Sequence, residues 1–166
     1  MSLIYGDDFE GQTSLPAGNN FRSLFDDCTG LISAENLILP ATTSAVGCYQ
    51  YMFYGCINLT SAPALPATTL AMSCYDGMFR GCTSLTTAPV LPAATLAQAC
   101  YKSMFNGCTN LNSITCLATD ISASGCTSNW LNNVSATGTF TKAAGSSWTT
   151  GASGIPSGWT VQNAVS

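Results

Sequence analysis

Apolar and small side chains recur along this chain at a fixed spacing. The pentapeptides MFYGC at 52–56, MFRGC at 78–82 and MFNGC at 104–108 follow one another every 26 residues, and LFDDC at 24–28 is a weaker first copy. A cysteine and a Leu-Pro pair share this period: Cys48, Cys74, Cys100 and Cys126, and the pairs that begin at Leu39, Leu65 and Leu91. Self-similarity of this kind predicts stacked units that bury one continuous core between them.

The first part of each unit predicts a short strand. The stretch LTSAPA at 59–64 and its copies at 85–90 and 111–116 follow the L-x-x-L-x-L pattern of leucine-rich repeats, with small residues in place of some leucines. A period of two predicts that positions 62 and 64 point toward the core and that position 63 points outward. Pro63 and Pro89 lack an N–H group, so we expect a short or irregular strand ladder there.

The second part of each unit predicts a short helix. Cys48, Met52 and Cys56 are spaced i, i+4 and i+8, which places them on one face of a helix of two turns. Glycines at the C-terminal end, Gly55 and its equivalents Gly81 and Gly107, are expected to stop this helix. Strand and helix then alternate, which predicts an α/β solenoid of the leucine-rich-repeat type. Equivalent side chains would form buried ladders, among them Cys48, Cys74, Cys100, Cys126, Phe53, Phe79 and Phe105.

This pattern divides the chain into three regions of one structural domain. We expect residues 1–30 to form an N-terminal segment and a degenerate first repeat, and residues 31–134 to form the leucine-rich repeats. Residues 135–166 lack the repeat and predict a β-rich C-terminal cap. The strands of the cap are expected at 139–141 and 159–161, and its plug at Trp148 and Trp159. The chain could be a cytoplasmic or viral protein or a fragment of a longer exported protein, and its abrupt start at residues 1–5 favours the fragment.

The composition narrows the classes of function. Only 7% of the residues are charged and 46% are hydrophobic, so a folded protein with a polar but mostly uncharged surface is expected. The chain has no histidine, which excludes Ser-His-Asp and Cys-His catalysis. Four basic residues and a net charge of −4 argue against nucleic acid as a partner. No apolar run reaches the roughly 20 residues that span a bilayer, so membrane insertion by this segment is not expected.

Nine cysteines raise the question of disulfides or metal. On a helix, Cys48 and Cys56 would lie about 12 Å apart, and neighbouring helices would be separated by about 8–10 Å. A disulfide tolerates a Cα separation of at most about 7 Å. We therefore favour a ladder of free, buried thiols, with disulfides and then a metal site as the alternatives, and expect no cofactor and no metal. The denatured protein should titrate with nearly nine free thiols.

A hydroxyl-rich strand face is the predicted binding surface. Its uncharged side chains suit a glycan or a polar protein surface, and an ordinary solvated strand is the alternative interpretation. The face comprises Thr60, Ser61, Thr86, Thr87, Asn112, Ser113 and Thr115.

Two further sets of positions vary within the repeat and are predicted to face solvent, namely Gln50, Asp76 and Lys102, and Tyr54, Arg80 and Asn106. The acidic residues Asp7, Asp8 and Glu10 could bind calcium, although a solvated segment is the favoured interpretation.

These repeats resemble the BspA-like leucine-rich-repeat family, found in surface proteins of gut and oral Bacteroidetes. The phrases LPATTLA at 65–71, CYDGMFRGCTSL at 74–85 and TAPVLPAATLA at 87–97 carry the resemblance. It implies a right-handed superhelix, display at the cell surface or outside the cell, and no catalytic residues.

Together, these features predict a non-catalytic binding or adhesion module that recognises a host or matrix protein or a glycan. One alternative is a structural or receptor-binding component of a phage tail. Another is an accessory domain of a larger enzyme.

Overall fold

The computed structural model describes residues 13–15, 17–39 and 41–165. These residues contain no helix, and their one sheet has three short parallel strands in the order β1-β2-β3, with β1 at Ser113–Cys116, β2 at Gly138–Lys142 and β3 at Trp159–Asn163. The prediction of an α/β leucine-rich-repeat solenoid, with a helix in each unit and a right-handed superhelix, is therefore wrong. The acidic residues Asp7, Asp8 and Glu10 lie outside the described residues.

Series of tight turns occupy the places where helices were predicted. In each series every fourth residue has a left-handed backbone, as at Gly47, Tyr51 and Gly55 with φ of 59°, 55° and 68°. Equivalent positive φ angles recur in five segments, which we call turn arrays 1 to 5: residues 19–27, 47–55, 73–81, 99–107 and 125–133. Gly55 therefore belongs to the array itself and does not terminate a helix.

Backbone hydrogen bonds explain why these segments are not helical. The N–H groups of Tyr49 and Phe53 donate to the carbonyls of Cys74 and Met78 in the next array, at 2.9 and 2.8 Å. The alternate residues, Gln50 and Met52, donate within the array, and the Met52 N–H bonds to the Tyr49 carbonyl at 3.2 Å. In an α-helix every N–H bonds to the carbonyl four residues earlier. Half of the donors here are instead used to hold neighbouring arrays together.

Two columns of aromatic rings fill the core between the arrays. Adjacent rings of the first column have centroids 5.4 to 6.2 Å apart, and it consists of Phe21, Tyr49, Tyr75, Tyr101, Trp130 and Trp148. The second column has spacings of 5.4 to 5.6 Å and consists of Phe25, Phe53, Phe79 and Phe105. Stacked pairs contribute about 0.5–1.5 kcal/mol each beyond the area they bury. The 26-residue period therefore places like side chains in contact.

The strand side of the core is less regular than predicted. Ile114 and Cys116 of β1 are buried, as the period of two requires. Ala64 and Val90, at the positions equivalent to Cys116, are exposed, and Val90 has 53% of its surface accessible. The inward orientation predicted for position 64 and its equivalents is therefore wrong in two of the three copies. A regular strand forms only in the copy where Thr115 replaces proline, because threonine keeps the N–H that proline lacks.

The C-terminal residues close the end of the core. Strands were predicted at 139–141 and 159–161, and β2 and β3 include those residues. Residues after β2 bind the last turn array, since the Trp130 indole N–H donates to the Gly154 carbonyl at 2.9 Å and the Leu131 N–H to the Ala152 carbonyl at 3.2 Å. Turn array 5 thus finds hydrogen-bond partners in the C-terminal residues that follow β2.

Candidate functional site

The outward side of the sheet presents two rows of uncharged polar side chains. Backbone pairing aligns the first row, which we call the hydroxyl row: Thr87, Ser113, Thr139 and Thr160. A parallel second row consists of Thr115, Thr141 and Gln162. Neighbouring rungs of a sheet lie about 4.8 Å apart, so these groups form a regular array. We call the two rows together the hydroxyl face.

The structure brings only part of the predicted binding surface together. Thr87, Ser113 and Thr115 belong to the hydroxyl face. Thr86 and Asn112 are exposed beside it, and the Asn112 N–H donates to the Thr86 carbonyl at 2.9 Å. The remaining two predicted residues, Thr60 and Ser61, lie in the preceding copy of the 26-residue repeat. The Thr60 hydroxyl donates to the Ile32 carbonyl at 2.9 Å.

Sequence reasoning missed four of the seven residues of the hydroxyl face. Thr139, Thr141, Thr160 and Gln162 come from β2 and β3, which follow the repeats. The alternation in Thr139-Phe140-Thr141 was the available signal, because a buried residue between two polar ones indicates which side of a strand faces solvent. What the sequence could not give was the register that aligns this strand with β1.

A seam interrupts the strand side of the molecule between residues 60–70 and 86–96. No backbone hydrogen bond joins these two described segments. Equivalent bonds exist on both sides of the seam: Ala34 N–H donates to the Ser61 carbonyl at 2.8 Å, and Ala88 N–H to the Ser113 carbonyl at 2.9 Å. Turn arrays 2 and 3 remain bonded to each other behind the seam, so these two copies of the repeat lack backbone hydrogen bonds only on their strand side.

The seam is the interface at which both neighbouring segments carry a proline. Pro63 and Pro89 occupy equivalent positions in the two segments, and neither has an N–H group. The adjacent copies carry Glu35 and Thr115 at that position, so every bonded pair of copies contains at most one proline there. An open groove of about 550 Å³ lies along the seam, lined by four prolines, Pro63, Pro66, Pro89 and Pro92, together with small apolar side chains and Glu35.

A second surface carries two of the four basic residues of the chain, each against a tyrosine ring. Arg22 lies over the ring of Tyr51 at 6.0 Å, and Arg80 over the ring of Tyr54 at 5.7 Å. The two tyrosine rings meet edge to face with centroids 6.0 Å apart. Exposed cation–π pairs contribute about 0.5–1 kcal/mol each. These contacts bind neighbouring arrays to one another across the surface.

Asp76 lies beneath this surface. It was predicted to face solvent, but only 4% of it is exposed, so that prediction is wrong for Asp76. Gln50 Nε2 donates to its Oδ2 at 3.1 Å, while Oδ1 has no partner. Burial raises the pKa of the Asp76 carboxyl, and the nearby charge of Lys102 partly opposes that rise.

All nine cysteines are unpaired, and eight are buried. Cys48, Cys74 and Cys100 are fully enclosed, and 4% of Cys126 is exposed. Desolvation raises the pKa of the Cys48 and Cys108 thiols to about 12. Because the thiolate is the nucleophile and the metal ligand, these protonated side chains act as packing groups. In the part of the chain that the structure describes, no three metal-ligating side chains come together.

Compared with protein-family models, curated proteins and solved structures, the chain has no match. The resemblance to BspA-like proteins therefore stays a prediction. Among the described residues there is no helix of the length and apolarity needed to cross a membrane.

Proposed function

We propose that this protein is a non-catalytic binding module of the adhesion type, displayed at a cell surface, which recognises a glycan through its hydroxyl face. This glycan is either free or carried by a host glycoprotein. The observation that supports this proposal is the in-register alignment of Thr87, Ser113, Thr139 and Thr160 beside a second polar row.

The chemistry of the face suits sugar hydroxyls. Each threonine or serine hydroxyl both donates and accepts hydrogen bonds, and the Gln162 amide does the same through two atoms. The face carries no charge in either row, so an uncharged ligand meets no unpaired charge on binding. Its side chains project from a hydrogen-bonded sheet, which limits the conformational entropy lost when a ligand orders them.

Binding to an array of glycans and matrix proteins tests the proposal. Wild-type protein should retain a set of glycans, and the double variant Thr139→Val, Thr160→Val should bind them about tenfold or more weakly, as expected from losing one or two hydrogen bonds. Valine keeps the shape and strand preference of threonine while it removes the hydroxyl.

Thr109→Val is the matched control, because Thr109 is exposed outside the hydroxyl face. It should bind as wild type does. Absence of glycan binding at high protein concentration would reject the proposal. Retention of matrix proteins that carry no glycan, with glycans unbound, would reject it as well and point to a protein ligand.

A further inference from the structure

We propose that the seam between residues 60–70 and 86–96 is a second binding site, which takes an extended peptide segment as an additional strand. This site differs from the hydroxyl face in position and in ligand class. It joins two features of the structure, a set of backbone groups without partners and the apolar groove that runs beside them.

The backbone groups at the seam have the arrangement that a strand requires. By equivalence with the neighbouring copies, the N–H groups of Ala62 and Thr86 and the carbonyls of Thr60 and Thr87 should be paired across this gap. None of these four groups makes a backbone hydrogen bond in the described structure. Donors and acceptors that alternate along two facing segments complement another peptide backbone, as in proteins that accept an inserted strand.

The groove indicates which side chains the peptide carries. Proline rings and small apolar side chains line most of it, and Val90 is 53% exposed. Every second residue of an extended peptide would point into this lining, so alternate small apolar residues fit it. Glu35 is the one charged residue that lines the groove, which favours a lysine or arginine beside the apolar positions.

A substitution at residue 89 tests the proposal, because neighbouring repeats that are joined by backbone hydrogen bonds have at most one proline at this position. The variant Pro89→Thr should allow the two segments to pair and close the seam, as Thr115 does in β1. A labelled peptide with the sequence of residues 111–118, with Cys116→Ser, serves as the probe, since this is the copy of the repeat that forms a regular strand in the intact chain. Fluorescence anisotropy should show binding to wild type and binding about tenfold or more weaker to Pro89→Thr.

Amide hydrogen exchange supplies an independent measurement. The amides of Ala62 and Thr86 should exchange rapidly in wild-type protein, and peptide or the Pro89→Thr substitution should protect both. Pro156 lies outside the groove, so the Pro156→Thr variant is the control and should bind the peptide with wild-type affinity. If Pro89→Thr does not fold, Pro63→Thr makes the same change on the opposite segment.

Three outcomes would overturn the proposal. The first is equal affinity of wild type and Pro89→Thr, which would place the peptide elsewhere, for example along the outer edge of β3. The second is an absence of binding to wild-type protein. The third is slow exchange of the Ala62 and Thr86 amides in the free wild-type protein, since the seam would then be closed. Glycan binding by the hydroxyl face is unaffected by any of these results.

Discussion

At the scale of single residues, close approach of neighbouring copies decides which side chains the chain tolerates. Gly138 begins β2, and a Cβ atom there would lie 2.5 Å from the Asn112 carbonyl oxygen and 2.7 Å from the Trp159 ring. Separations below 3 Å between such atoms require the backbone or the ring to move. A glycine at this position therefore lets β2 approach the residue that precedes β1, Asn112, and leaves room for the Trp159 indole, whose N–H donates to the Ser135 carbonyl at 2.8 Å.

The substitution Gly138→Ala should destabilise the protein by about 2–3 kcal/mol, the cost of overpacking a filled site. Urea unfolding followed by tryptophan fluorescence measures the difference. Gly30→Ala is the matched control, since no heavy atom lies within 4 Å of its Cβ position and neither glycine has a positive φ. The control should stay within about 0.5 kcal/mol of wild type. Equal effects of the two substitutions would contradict this account of the contact.

At the scale of elements, the turn array replaces the helix. Non-glycine residues take the left-handed conformation at Tyr51, Ser73, Ala99 and Ser103, with φ between 51° and 55°. For L-residues this conformation costs roughly 1–2 kcal/mol. The compensation comes from the bonds that alternate N–H groups make to the next array, such as the one from Ser103 to the Ser128 carbonyl at 2.8 Å. An array is therefore stable only when the segment that follows it accepts these bonds.

Ala99→Gly distinguishes a turn array from a helix by the sign of its effect. At φ of 52° glycine removes the left-handed strain, so we expect stabilisation of up to about 1 kcal/mol. In a helix the same substitution would destabilise by about 1 kcal/mol. Ala97→Gly is the control, because Ala97 has no positive φ, and it should lose about 0.5–1 kcal/mol. Thermal and urea unfolding give both values.

At the scale of the whole molecule, the buried thiols make stability depend on alkaline pH. Burial raises the pKa of Cys74 to about 11 and of Cys108 and Cys116 to about 12, above the ordinary thiol value of 9.0. Between the ordinary thiol pKa and these raised values, the buried thiols of the folded protein keep protons that the thiols of the unfolded chain have lost. Stability is therefore fully present below pH 9 and falls as pH rises through the folded-state values.

The free energy of unfolding should fall steeply above about pH 9, because each buried thiol removes up to about 1.4 kcal/mol per pH unit. Urea unfolding at intervals between pH 7 and roughly pH 10.5 measures the slope. Cys108→Ser should make the slope shallower while serine still donates to the Phe79 carbonyl, which Cys108 Sγ contacts at 2.9 Å. Cys28→Ser, at an exposed position, is the control and should leave the slope as it is. A free energy that is flat up to pH 10.5 would show that these thiols are accessible to water.

Much of the core could be assigned from the sequence alone. The period of 26 residues identified the residues that stack, because equal spacing places like side chains against one another, as in Phe53, Phe79 and Phe105. The spacing of Cys48, Met52 and Cys56 correctly indicated one buried face. It could not identify the backbone that presents this face, since a repeat of four residues fits a helix and a series of turns equally well.

Tertiary structure decided that backbone, the register of the sheet and the seam. Half of the N–H groups in an array bond to residues about 26 positions away, and such long-range partners leave no local pattern in the sequence. The same holds for Thr139 and Thr160, which join the hydroxyl row only through pairing with β1. Pro63 and Pro89 were visible in the sequence as obstacles to a ladder. Only the stacking of their two copies placed both prolines at one interface, the one where the N–H groups of Ala62 and Thr86 have no backbone partner.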